Sequence, residues 1–469
     1  MIPACAPILT AAQMIAAEQA VFASGVSQDA LMERAGAAVA RETARFAMGR
    51  PILILAGPGN NGGDAYVAAR LLQKDGLDVS VVATGAPKDG AAARMHALWQ
   101  GTTTSLYAAR PRPVLVDGLF GTGLTRPLER GLAAVFADLC TQAEFTLAID
   151  VVSGLDTDTG ADLGAPRGVD VTLALGALKP AHLLEAGLEQ SGRVLLADIG
   201  IDSDTGWRTV GRPRLQTPHA HSHKYSRGLV VAIEGAMPGA ARLASAAAMR
   251  SGAGYVVLAG AEPWQGGPDA LVRRRFGSSA DLAEFLEWDR IDAIVLGPGL
   301  GRDGNADAYL RAALAAEKPL VLDGDALSMM GTNAPSWLQT RKAPTWLTPH
   351  SGEFDRMFGF DGSKIDRTLA AARATGATIV HKGADTVIAS PKGAVRVLAG
   401  ASPWLSTAGT GDVLAGLLAA QVAQGAKSVQ AAEAATWLHG RAAQLAGPAF
   451  HADALIEPIS QAVDECLRV

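Results

Sequence analysis

The stretch Pro51-Ile-Leu-Ile-Leu-Ala56, followed at once by Gly57-Pro-Gly-Asn-Asn-Gly-Gly-Asp64, decides how the first half of the chain folds. A short apolar run bounded by a glycine-rich turn reads as a buried strand, and the periodic residues from Gly63 onward read as a helix. Four glycines among these eight residues strip side chains from the backbone. A ligand can then lie against peptide N–H groups at the positive end of a helix, which suits an anion. The loop lacks the terminal Lys-Ser/Thr of a nucleotide-hydrolase phosphate loop, and unlike a GxGxxG fingerprint it carries Asn60, Asn61 and Asp64. The plainer alternative is a tight turn with a capping Asn.

Working outward, Thr10 reads as the N-cap of a helix over 11–22. A second helix over 28–46 turns Ala30, Leu31, Ala35, Ala38 and Val39 inward. Beyond the loop, helices over 63–74, 91–99 and 131–139 alternate with strands over 79–83, 114–116 and 146–149, and strands over 169–174 and 192–197 complete the sheet. Strands with helices between them mean a doubly wound parallel sheet. The polar, irregular stretch 202–223 holds the boundary between two domains, 1–211 and 212–469. A second alternation begins at Gly228-Leu-Val-Val-Ala-Ile233 and continues through strands near Tyr255, Ile291, Pro319, Thr345 and Thr378. Residues 384–397 read as short paired strands, and 411–424, 429–445 and 451–467 as three successive helices. The fold class is therefore α/β, with two doubly wound three-layer domains.

Bulk properties agree with this. A chain of 469 residues exceeds one ordinary core, and 49% apolar with 19% charged residues is a globular balance. A formal net charge of −5 gives no reason to expect nucleic acid or an anionic membrane, so small molecules are the expected partners. Cys5, Cys140 and Cys466 lie far apart without C-x-x-C spacing, which suggests neither disulfides nor zinc. With no basic leader and no membrane-length apolar run, a cytoplasmic location is expected. The alanine-rich helix faces suit self-association into a homo-oligomer.

Polar residues recur at three strand ends of the first domain, and such ends share one ligand-binding rim in an open parallel sheet. They are Asn60, Asn61 and Asp64; Asp117 in Val-Asp-Gly-Leu-Phe-Gly-Thr-Gly-Leu124; and Asp150 with Ser153 in Ile-Asp-Val-Val-Ser-Gly154. Their oxygens are hard ligands suited to a group I or II cation, and a bound K⁺ would offset the carboxylates. Each Asp alone is equally well read as a loop cap. Together with Leu31-Met-Glu-Arg-Ala-Gly36, these motifs resemble the NAD(P)H-hydrate epimerase domain over residues 8–211. The resemblance implies that Asn60, Asn61, Gly62, Gly63 and Asp64, the loop Gly121, Thr122, Gly123, Leu124, Thr125, Arg126 and Pro127, and Asp150 hold the hydrated dinucleotide. It implies K⁺ on Asn61, Asp117 and Ser153. Ala65 replaces a usual Gly, and Val152 a usual Pro. Inverting the hydroxyl-bearing ring carbon needs a proton donor and acceptor. One carboxylate can serve, Asp150 first and Asp64 second.

In the second domain, Ser406-Thr-Ala-Gly-Thr-Gly-Asp412 precedes an apolar helix. Glycines and N–H groups at a helix start cradle a phosphoryl group, and the Asp sits where it can take a proton from an attacking hydroxyl. Capping of the first helical turn is the plainer reading. The segments Leu296-Gly-Pro-Gly-Leu-Gly301, Leu322-Asp-Gly-Asp-Ala-Leu327, Thr348-Pro-His-Ser-Gly-Glu-Phe354 and His381-Lys-Gly-Ala-Asp-Thr-Val-Ile388 accompany it. Together they resemble the NAD(P)H-hydrate dehydratase branch of the ribokinase-like fold over residues 213–469. By that resemblance Gly254, Gly299, His350 and Asp412 contact the hydrate. Lys382, Gly383, Ala384, Asp385 and Thr386 hold the nucleotide, and Gly409, Thr410 and Gly411 its phosphate. The implied cosubstrate is ADP with Mg²⁺, and Asp412 is the implied base. Rival readings are a small-molecule kinase on the same anion hole, and a first domain that senses dinucleotide without catalysis. His219, His221 and His223 lack carboxylate or Cys partners, so they are read as surface residues rather than a metal site. Arg273-Arg-Arg275 reads as a solvated face, and Trp404 and Trp437 as packing.

Overall fold

A computed structural model describes residues 2–468. The chain divides into two compact units, Met1–Thr209 and Val210–Val469.

The first unit opens with helices α1 (Ala11–Ala23) and α2 (Gln28–Ala47). Thr10 caps α1 through a capping box, its Oγ1 accepting from Gln13 N at 3.2 Å while Gln13 Oε1 accepts from Thr10 N at 2.9 Å. There follow β1 (Ile52–Ala56), α3 (Asn60–Lys74), β2 (Val79–Ala83), α4 (Gly90–Leu98), β3 (Thr103–Ser105), β4 (Val114–Gly118), α5 (Arg130–Gln142), β5 (Phe145–Ile149), β6 (Val171–Leu175), α6 (Glu185–Gln190) and β7 (Arg193–Ala197). A short strand, β8 (Trp207–Thr209), runs antiparallel beside Pro7. The sheet order is β3-β2-β1-β4-β5-β6-β7, with every pair parallel. The order reverses between β1 and β4, and the crevice beyond their carboxyl ends is where a ligand fits such a sheet. Strands β1, β4 and β6 are buried along their whole length, as their continuous apolar runs require. On α2, Leu31, Ala35, Ala38 and Val39 are buried and Ala30 is half-buried. Strand β3 was not expected, because Thr103-Thr-Ser105 is polar and lies at the sheet edge.

The second unit begins with β9 (Leu229–Ile233), α7 (Pro238–Arg250), β10 (Tyr255–Gly260), β11 (Val272–Arg275), α8 (Ser279–Leu286), β12 (Ala293–Leu296), α9 (Gly304–Ala315), β13 (Leu320–Leu322), α10 (Gly324–Met330) and α11 (Ala334–Leu338). It continues through β14 (Thr345–Leu347), α12 (Ser351–Met357), α13 (Lys364–Thr375), β15 (Thr378–His381), β16 (Asp385–Ala389), β17 (Val395–Ala399), α14 (Thr410–Ala423), α15 (Ser428–Ala446) and α16 (Ile456–Leu467). Its strands run in the order β11-β10-β9-β12-β13-β14-β15-β16-β17, parallel up to β15 and antiparallel through the β15-β16-β17 pairs. Helix α14 is buried on all sides from Val413 to Val422, as an apolar sequence without a polar stripe demands. Arg273-Arg-Arg275 forms part of edge strand β11, and only Arg274 and Arg275 are exposed. Arg273 is half-buried and clamps the preceding loop by donating to Trp264 O, Gly266 O and Leu271 O. Trp437 packs on the core, whereas Trp404 is 49% exposed and departs from the packing expectation. Among the described residues no helix is long and apolar enough to cross a membrane, and no cluster of His, Cys, Asp and Glu has metal-site geometry.

Candidate active sites

In the first unit helix α3 starts at Asn60, three residues earlier than expected, so Asn60 to Asp64 form its first turns. Most of the loop glycines serve packing. A Cβ at Gly57 would meet Leu119 O at 1.7 Å, at Gly62 it would meet Gly57 O at 1.9 Å, and at Gly63 it would meet Met32 Sδ at 2.5 Å. Only Gly59 faces open space. Gly62 and Gly63 therefore turn their Cα faces inward and are not among the residues that line the cleft. The cleft itself, about 430 Å³, is bounded by Pro58 to Asn61, Asp64, Leu119 to Leu124, Asp150 and the inner faces of α1 and α2. Gly121, Thr122, Gly123 and Leu124 line it, while Thr125, Arg126 and Pro127 are exposed and outside its wall. The Ala65 departure is accommodated because its neighbour across α3 and β4 is Gly118, where a Cβ would come within 2.7 Å of it. Val152 is fully buried among Ala148, Val151 and Leu155.

Asp150 stands at φ +63°, left-handed backbone that is uncommon outside glycine. Its carboxylate Oδ1 accepts from Leu175 N at 3.0 Å and from Lys179 Nζ. His182 Nδ1 accepts from Lys179 N at 2.9 Å, which leaves the ring proton on Nε2 to donate to Asp150 O at 2.7 Å. Burial, and then the Lys179 charge, lower the His182 pKa to about 4, so the ring is neutral. Asp64 shares the cleft. Burial, followed by the charges of Asp150 and Glu18, pushes its carboxyl well above the usual range against the pull of Lys179. Glu18, on α1, is raised by burial and by Asp150.

Asp117 and Ser153 lie beneath the cleft. Ser153 Oγ donates to Asp117 Oδ1 at 2.7 Å, and Ser153 N and Leu119 N donate to the same carboxylate at 2.8 and 3.1 Å. Burial still raises Asp117 to about 6. Ser153 Oγ also accepts from Phe120 N at 2.9 Å, and a Cβ on the adjacent Gly121 would lie 3.2 Å from Asn61 Oδ1. One loop thus links Asn61, Asp117 and Ser153.

In the second unit the carboxyl ends of β13, β14 and β15 bring Asp323, Thr348, His350 and Lys382 to one rim. Lys382 Nζ and Thr348 Oγ1 both donate to Asp323 Oδ1 at 2.7 Å. Gly409, at φ +92°, turns the chain into α14, and a Cβ on Gly411 would lie 3.1 Å from Lys382 Nζ. Asp412 is therefore in the first turn of α14 beside this pair. Burial, followed by the Asp323 charge, raises its pKa to about 7, with Lys382 opposing and Asp325 adding to the rise. Thr410 Oγ1 donates to Leu405 O at 2.8 Å and to Thr407 O at 3.0 Å, tying the loop together. His350 caps α12, its Nδ1 accepting from Gly352 N at 3.1 Å, and its side chain is 57% exposed. Asp385 is bound by Lys364 Nζ at 2.5 Å, and Thr386 Oγ1 donates to Gly383 O at 2.8 Å, so both shape the 382–386 turn, which includes Ala384. Gly299, at φ +61°, closes against Met237 O at the β12 rim. Gly254 is the exception. It precedes β10 at the opposite, amino-terminal rim, where a Cβ would meet Lys224 O at 2.1 Å, so it packs and does not join the cluster.

Sequence reasoning did not assign Glu18, Lys179 or His182, and quoted Asp323, Asp325 and Thr348 without a role. A lysine inside the apolar run Leu-Ala-Leu-Gly-Ala-Leu-Lys179 was the available signal for the first group.

Comparison with known proteins places these arrangements. Residues 229–462 match the family model for NAD(P)H-hydrate dehydratase, and residues 28–181 the model for the YjeF-related protein N-terminus. The bifunctional NAD(P)H-hydrate repair enzyme Nnr of Gloeobacter violaceus is 38% identical, with 93% of each chain covered. The enzyme of the same name from Salinibacter ruber is 35% identical, over 94% of this chain and 92% of its own. Among solved structures, a ribokinase-like superfamily protein of Enterococcus faecalis V583 is 25% identical at a TM-score of 0.50, covering 56% of this chain and 98% of its own. By both halves and over nearly its whole length, the chain belongs to the family of bifunctional NAD(P)H-hydrate repair enzymes.

Proposed function

We propose that the first unit interconverts the R and S epimers of hydrated NADH or NADPH, and that the second removes water from the S epimer at the expense of ADP, giving AMP and phosphate. One observation supports this most: each unit carries, at its ligand rim, a carboxyl group whose proton affinity is raised by burial and a neighbouring carboxylate, Asp64 beside Asp150 and Asp412 beside Asp323. Carboxyl groups with raised proton affinity are suited to donating and accepting protons at a ligand.

In the first reaction Asp64 donates its proton to the ring hydroxyl as the C–O bond breaks, and the ring nitrogen lone pair forms the C=N bond. Water re-adds to the opposite face and gives its proton to Asp150. Return of a proton from Asp150 to Asp64 through solvent resets the pair.

Asn61, Asp117 and Ser153 are the proposed K⁺ ligands. The donor set fits: Asp117 is buried and raised, and Asn61 Nδ2 is buried without a hydrogen-bond partner among the described residues. Nothing described therefore fixes that amide in one orientation, and turned over it offers its oxygen to a cation. A bound cation would supply positive charge beside Asp117.

In the second reaction Asp412 takes the hydroxyl proton and the hydroxyl oxygen attacks the terminal phosphorus of ADP, breaking its P–O bond to AMP. N–H groups from Ala408 to Gly411 face the transferring charge. The ring nitrogen then expels phosphate, and loss of a proton from the neighbouring carbon restores the dihydropyridine. The carboxylate of Asp323 would neighbour a Mg²⁺ ion bound with the nucleotide phosphates, which would supply positive charge there. The test is product analysis with hydrated NADH and ADP. Equimolar AMP, inorganic phosphate and restored dihydropyridine absorbance are expected, and a stable phosphoester would overturn the assignment in favour of a kinase.

A further inference from the structure

Lys179 is wholly buried, which is costly for an ammonium unless it is paired. Its Nζ donates to Asp150 Oδ1 and, at 2.9 Å, to Leu175 O. The titratable groups around Asp150 are Glu18 from α1, Asp64 from α3, and Lys179 and His182 from the segment after β6. The His182 ring is neutral, as its hydrogen bonds and burial require. Three carboxylates thus share one ammonium, and the contacts are unequal. Lys179 touches Asp150 directly, whereas it acts on Asp64 and Glu18 only through space. That inequality breaks what would otherwise be a symmetric choice between Asp64 and Asp150.

Building on the epimerase reading of this cleft, we propose that Lys179 is a positioning residue which, by its contact with Asp150, makes that carboxylate the proton acceptor and leaves Asp64 as the proton donor. Lys179 Nζ places its positive charge in contact with Asp150 Oδ1 and makes no such contact with Asp64. Lys179 also fixes where the acceptor points, since Asp150 Oδ1 is held between Nζ and Leu175 N.

The test uses the full chain and compares wild type, Lys179→Met and Lys179→Arg for kcat and KM of epimerisation, with dehydration of the S epimer as the internal control. In Lys179→Met, kcat of epimerisation is expected to fall about 100-fold, with KM within about twofold of wild type and dehydration unchanged. Lys179→Arg, which keeps the charge, should restore kcat to within about tenfold of wild type. A rise in KM with kcat unchanged, no rescue by Lys179→Arg, or loss of a folded first unit in both variants makes the lysine structural and overturns the proposal. Absence of epimerisation in the wild type would instead remove the reading on which it rests.

Discussion

Two glycine-rich loops enter helices in this chain, Gly57 to Asp64 in the first unit and Ser406 to Asp412 in the second, and they use glycine for different reasons. In the first, three glycines let backbone meet backbone or a neighbouring helix, and the polar residues Asn60, Asn61 and Asp64 line the cleft. In the second, Gly409 supplies a left-handed turn and Gly411 leaves room beside Lys382, so the backbone itself is presented. The same composition thus presents side chains in one place and main chain in the other. Each loop ends in a carboxyl group whose proton affinity is raised first by burial and then by different neighbours: Asp150 and Glu18 for Asp64, Asp323 and Asp325 for Asp412.

The largest expected effect that separates the two is Asp412→Asn, which should lower ADP-dependent dehydration by about 10³-fold or more and leave epimerisation intact. Loss of both activities would collapse the distinction between the units. Next come the glycines. Gly62→Ala drives a methyl into Gly57 O and should lower the melting temperature of the first unit by about 10 °C. Gly411→Ala meets the tip of Lys382 at 3.1 Å and Asp323 Oδ2 at an ordinary 3.7 Å, so its melting should hardly change while dehydration falls by about 10-fold or more. Equal melting of the two variants would show that both loops use glycine alike.

A smaller effect is in the pH profile of dehydration. Asp412 must be ionised to accept a proton, and its pKa is raised to about 7. Dehydration kcat/KM should therefore rise with pH through about 7, with roughly a tenfold loss for each unit below it. A profile flat from pH 5 to 8 would exclude Asp412 as the base. The smallest effect is on stability. Asp117 is raised to about 6, so its ionised form, which a cation would neutralise, dominates above that pH. K⁺ should raise the melting temperature of the first unit by about 2–4 °C at pH 7.5 and less at pH 5, with choline as the control. An equal gain at both pH values would argue against Asp117 as a ligand.

Much of this was legible in the sequence because strand-turn-helix alternation is a local signal. The buried runs at Ile52–Ala56 and Leu229–Ile233 and the cap at Thr10 are all written in adjacent residues. The positions of Asp150, Asp117 and Asp412 were readable because they lie at strand ends or at a helix start. Lys179 was not, since its pairing with Asp150 spans 29 residues and depends on β5 and β6 being neighbours. Gly254 was not placed by the sequence, because a glycine in a motif carries no sign of which end of a strand it flanks, and here it precedes β10. For the loop glycines at 57, 62 and 63, composition does not distinguish close packing from open backbone.

The claim that one chain joins two proton-transfer chemistries is tested most directly by incubating an equal mixture of R and S hydrated NADH with the full chain and ADP, and following the restored dihydropyridine to its end point. The wild type should convert the whole mixture, and Asp64→Asn should stop with the R epimer left over. A wild-type reaction that halts with half the hydrate unconsumed, while its S epimer is fully dehydrated, would contradict the assignment of epimerisation to the first unit.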